Sequence, residues 1–166
     1  MKQKFKGKAL SAKVCKDRIL AFYNLATIAE MKEGLFWYDN ANKYCRELSE
    51  RFDVSLSSIA GIIAAFSPQA GWQENKRYAL SFLINPKNRQ RSLVQDIKAR
   101  AILKLTNEAD IYATLSINNA AWKTKAFFLN ILNPDIVTDV TIDRHAIASC
   151  IQRPTRWKHW TTVMGR

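Results

Sequence analysis

The stretch SSIAGIIAAF, residues 57–66, decides the fold. It is apolar on nearly every side, and a helix without a polar face belongs in the core with other elements packed round it. Ser55 or Ser57 is placed to cap its start by accepting a backbone N–H, and Pro68, which cannot continue a helix, closes it. The rest of the chain has to supply a shell for this rod.

That shell reads as helical on both sides. Upstream, Ala41, Tyr44, Cys45, Leu48 and Phe52 recur at the spacing of one helix face, with Gly34 before them and Asp39 or Asn40 as starts. Downstream, WQENKRYALSFLI (72–84) is amphipathic and is broken by NPKNRQ (85–90). SLVQDIKARAILKL (92–105), NEADIYATLS (107–116), KTKAFFLNIL (123–132) and TIDRHAIASCIQ (141–152) follow as further helices, and RPTRWKHWTTVMGR (153–166) suits one more. Alternating β-branched runs bounded by tight turns do not occur, and 5 Gly and 4 Pro leave few turns. The expectation is an all-α, compact single-domain helical bundle without internal repeats.

With 166 residues, 48% of them hydrophobic, the chain suits one core rather than two. Lys and Arg number 26 against 14 acids, a net charge of +12, which favours a polyanionic partner and nucleic acid first among them. No apolar run reaches the roughly 18 residues needed to span a bilayer, and MKQKFKGKAL lacks the apolar stretch of a secretory signal. The reading is a cytoplasmic protein of a bacterial or phage-infected cell, with no membrane partner. Residues 1–16 carry six lysines and no acid, as a basic arm would, ahead of a domain over 17–166. Cys15, Cys45 and Cys150 are odd in number and far apart, which suits reduced thiols rather than disulfides or zinc ligands. No metal and no cofactor is expected.

Chemistry on a base in duplex DNA requires the nucleotide to be turned out of the stack, the gap filled, the phosphates held and the sugar attacked. SPQAGWQENKRYA (67–79) resembles the segment of helix-hairpin-helix DNA glycosylases, the HhH-GPD or endonuclease III type, in which a buried helix ends in Ser-x-Gln-Ala and Asn-Lys begins the next stretch. IKARAILKL (97–105) looks like the Lys-Ala-x-x-Ile helix leading to that family's hairpin. INNAAWKT (117–124) stands where the family has Leu-Pro-Gly-Val-Gly-Arg-Lys-Thr, AFFLN follows it, and TIDRHA (141–146) is similar to the Val-Asp-Thr-His segment. The four segments come in the family's order and span a little over half the chain.

The resemblance implies a monomeric DNA N-glycosylase, with or without AP-lyase activity, that excises a damaged or modified base from a flipped-out nucleotide. Carried over residue by residue, Lys123 is the Schiff-base nucleophile, Asp143 its electrostatic partner, His145 the histidine after the aspartate, and Gln69 a residue beside the vacated base position. Lys125 is the alternate nucleophile, because it restores the family's spacing to the aspartate although it breaks the Lys-Thr match. Asn119 and Ala121 replace the two hairpin glycines, and the four-cysteine cluster of many relatives is absent.

Other residues fit a nucleic-acid surface by type. Trp72 and Trp122 offer rings for stacking, with Trp122 the candidate pocket wall beside the nucleophile. Lys76, Arg77 and Arg144 suit phosphates, and Asn119 and Thr124 flank the hairpin. Each also has a plain reading: core aromatic, solvated cation, or, for Asp143, a helix N-cap. Two alternatives to the glycosylase stay open, a non-catalytic DNA-binding module on that scaffold and a base-remodelling enzyme.

Overall fold

The computed structural model describes residues 11–116, 121–136, 139–142 and 144–151, with backbone alone for 144, 145 and 151. Among the described residues it contains nine helices and no strand: α1 (Ala12–Tyr23), α2 (Ile28–Leu35), α3 (Trp37–Phe52), α4 (Leu56–Phe66), α5 (Trp72–Ile84), α6 (Leu93–Ile102), α7 (Glu108–Thr114), α8 (Trp122–Leu132) and α9 (Arg144–Ile151). The all-helical class read from the sequence is the one observed.

Helix α4 is the central rod. Every residue from Ser57 to Phe66 is buried, and α3, α5, α6, α7 and α8 all pack on it. Ser55 is the N-cap, its Oγ accepting from the Ser58 amide at 3.1 Å. The buried hydroxyls at the start of the rod are also satisfied: Ser57 donates to Thr106 O at 3.3 Å and Ser58 donates to Leu105 O. Gly61 sets how close the shell comes. A Cβ there would lie 2.6 Å from Ile111 Cγ2 and 3.0 Å from Ile102 Cγ2, so its absence lets α6 and α7 both press on the rod.

Two boundaries depart from the sequence expectation, each for a physical reason. Helix α3 starts at Trp37 rather than Asp39 or Asn40, and no side chain caps it. Trp37 and Tyr38 instead pack their rings on Phe127, so tertiary contact draws the helix two residues further back. Gly34 does not separate elements but lies inside α2, whose start is fixed by a reciprocal Thr27–Glu30 capping box. Helix α1 begins at Ala12 on the Ser11 cap, so Lys13 and Lys16, expected in the basic arm, are helical. It packs along α9, where the Arg18 guanidinium donates to Cys150 O at 2.8 Å. The helix expected over 153–166 lies outside the described residues.

Candidate functional site

The first turn of α8 separates its two lysines. Residues two apart on a helix point about 200° from one another, whereas Lys123, Phe127 and Asn130 at i, i+4 and i+7 share a face. Lys125 turns towards α7, its Nζ 4.1 Å from the centroid of the Tyr112 ring. The Lys123 face looks the other way. Along it the Phe127 ring lies 5.7 Å from Trp37 and 6.2 Å from Tyr38, and Trp37 in turn lies 5.0 Å from Trp72. Three helices, α3, α5 and α8, thus build one aromatic wall.

At the end of that face Asn130 is buried, and its Nδ2 donates to the Thr141 hydroxyl at 3.2 Å. The Tyr38 hydroxyl donates to the same oxygen at 2.8 Å. The segment that carries Asp143 is therefore tied, two residues earlier, to the face of α8 that bears Lys123. The Asn130 Oδ1 is buried and has no hydrogen-bond partner among the described residues, and the same holds for Asn75 Oδ1 on α5. A buried amide oxygen left unpaired is costly in a folded chain, so each marks a place where a donor would be welcome.

Each residue singled out from the sequence now has a position. Trp72 is a wall residue rather than a free stacking platform: Trp37 and Tyr44 take up its ring, and Lys76 Nζ sits 5.7 Å from it and 5.4 Å from Tyr44. Arg77 is exposed beside Glu74 at 3.8 Å. Trp122, expected in a pocket wall, is 74% exposed among the described residues as the first residue of α8. Thr124 is buried, facing the core one turn before Phe128. Ala121, which replaces a hairpin glycine, adopts φ −94°, a value that needs no glycine. Gln69 is exposed with φ 60°. Asn119 and Asp143 lie outside the described residues. Arg144 and His145 open α9, but their side chains lie outside what is described.

A cavity of about 300 Å³ lies at the opposite end of α8, lined by Asp39, Asn42, Arg46 and residues 132–136. Its carboxylates, Asp39 and Asp135, together with the negative end of the helix make it a poor seat for phosphate. Among the described residues no three His, Cys, Asp or Glu side chains converge as metal ligands, and no helix is long and apolar enough to cross a membrane.

Sequence reasoning missed Trp37, Tyr38, Phe127, Asn130 and Thr141. The run Phe36-Trp37-Tyr38 was the available signal, since three consecutive aromatics cannot all face one core. The contact between Tyr38 and Thr141 had no local signature at all.

No curated protein and no solved structure matches the chain. Residues 1–163 match a family model described as a family of unknown function, DUF7178, and the chain belongs to that family.

Proposed function

We propose that the chain is a DNA N-glycosylase of the helix-hairpin-helix type, with AP-lyase chemistry, in which Lys123 is the nucleophile. The observation that carries this reading is the sorting of α8: Lys123 shares its face with Phe127 and Asn130 and so with the Thr141 anchor, whereas Lys125 is engaged with Tyr112. An amine, an aromatic wall and a tethered carboxylate-bearing segment are the parts that removal of a base from a flipped nucleotide requires. The net charge of +12 and the exposed Trp122 at the uncapped start of α8 support a polyanionic, stacking ligand.

In this mechanism the Lys123 amine attacks C1′ as the glycosidic bond breaks and the base leaves with the bonding electrons. Asp143 stabilises the positive charge that develops on the sugar. Loss of the amine proton and ring opening give a Schiff base, and removal of a C2′ proton then expels the 3′ phosphate by β-elimination.

Borohydride trapping on duplexes carrying an abasic site or a panel of modified bases tests it. Wild type and Lys125→Ala form the covalent adduct, and Lys123→Ala does not. Salt-sensitive binding with no adduct and no base release on any substrate would replace the enzyme by a non-catalytic DNA-binding module.

A further inference from the structure

Two non-glycine residues among those described have positive φ, Asp53 and Gln69. Asp53 is unsurprising, since it caps the C-terminus of α3, where a left-handed residue commonly ends a helix. Gln69 is the third residue of a turn closed by the Ala70 N–H donating to Ser67 O at 3.2 Å, a position after Pro68 that asks for positive φ and most often takes glycine. The cap of α4 is Ser67, and Gln69 stands beyond it, exposed, in a conformation that glycine or asparagine would adopt at less cost. Its side chain makes no hydrogen bond to any described residue. A glutamine in a glycine-favouring position is thus held out towards solvent, and something besides the one turn bond holds it.

Arg91 does. The guanidinium Nη1 donates to Pro68 O at 2.8 Å and Phe66 O at 3.2 Å, and Nη2 donates to Gln69 O at 3.4 Å. The group therefore gathers the open carbonyls at the end of α4 and across the turn, using the planar donor fork that only arginine offers. Its Cζ sits over the Tyr78 ring, 4.9 Å from the centroid, and Gln95 Nε2 adds a bond to Pro68 O at 3.4 Å.

Behind Arg91 stands Asp96, fully buried. Its Oδ1 accepts from the backbone N–H of Gln90 at 3.1 Å, and its Oδ2 has no hydrogen bond, with Arg89 Nε at 4.0 Å. Removing a carboxylate from water for one backbone bond and one distant cation is a poor trade for stability alone. Its effect is to fix the residue that immediately precedes Arg91.

We propose that Arg91 is a positioning residue that locks the turn over residues 67–70 so that Gln69 is presented to nucleic acid, with Asp96 setting Arg91 in place. This rests on the nucleic-acid reading above. The role of Arg91 is to make the duplex with a missing base the better ligand, not to add general affinity.

The test compares Kd at one salt concentration for two duplexes, one fully paired and one carrying a tetrahydrofuran abasic analogue. Wild type prefers the abasic duplex. Arg91→Lys, which keeps the charge but not the fork, lowers that preference by about tenfold while affinity for the paired duplex stays within about twofold. In thermal melts, Gln69→Gly restores Tm in an Arg91→Ala background, since glycine needs no clamp, yet the preference does not return. A wild-type preference that Arg91→Lys leaves intact, or a Gln69→Gly change that lowers Tm further in Arg91→Ala, overturns the clamp and leaves the glycosylase reading standing. A wild-type chain with no preference for the abasic duplex overturns both.

Discussion

The Tyr38 hydroxyl donates to the Thr141 hydroxyl across 2.8 Å, joining residues 103 positions apart. Asn130 donates to the same oxygen, so Thr141 is gripped by α3 and α8 together just before the chain enters α9. Tyr38→Phe removes one grip and keeps the ring in the aromatic wall. The expected cost is about 0.5–1.5 kcal/mol of stability in urea unfolding. On the proposed glycosylase reading, single-turnover base release falls by roughly tenfold, the effect of about 1.4 kcal/mol on a barrier, while duplex affinity is retained. An unchanged rate would show that the Thr141 anchor has no part in the chemistry.

Lys125→Ala reports on the opposite face of α8. The lysine contributes a cation–π contact with Tyr112, worth about 0.5–1 kcal/mol at a partly exposed site. Stability drops by that much, and adduct formation with an abasic duplex is kept. An adduct lost in this variant and kept in Lys123→Ala would exchange the two roles.

Gly61→Ala asks whether the approach of α6 and α7 to the central rod is as tight as the 2.6 Å contact to Ile111 implies. The methyl has to displace two branched side chains in a close-packed core, at a cost of about 1–3 kcal/mol. A chain of this size loses about 2–4 °C in Tm per kcal/mol. An unaltered Tm would mean that the shell yields freely there.

Cys45 gives the pH dependence. Burial on α3 pushes its thiol up from 9.0 to about 12. Above pH 9 the unfolded chain releases this proton while the folded chain retains it, so the unfolded state is favoured as pH rises. The contribution of this thiol is therefore complete below pH 9 and is lost towards pH 12, with a slope of up to about 1.4 kcal/mol per pH unit. Cys45→Ala flattens that slope between pH 9 and 11 in denaturant titrations. Cys45 also reacts with thiol reagents only on unfolding, in contrast to the half-buried Cys15 and Cys150.

The helices were legible because their signals are local. WQENKRYALSFLI coincides with α5 to the residue, and the all-apolar rod is α4 once Ser55 is taken as its cap. What periodicity could not give was direction in space. The pattern treats Lys123 and Lys125 as near neighbours, and only the packed positions of Tyr112 and Phe127 part them. It makes Trp122 and Thr124 equally plausible as contacts, yet one projects into solvent and the other into the core. The left-handed Gln69 and its Arg91 clamp were invisible for another reason: the bonds join residues 22 to 25 positions apart, through carbonyls that every sequence possesses.

The contact of Arg18 with Cys150 has a consequence for synthesis. Helix α1 has no buried residue of its own, and its principal neighbour is α9. During translation the rod and its shell, residues 37–132, emerge and collapse while α1 still waits for its mate. The Thr141 tether also forms only at this late stage. A nascent chain that has released its residues only as far as 140 would therefore hold the α3–α8 interior without the Thr141 tether, and the face of α8 that bears Lys123 would lack its anchor until α9 follows.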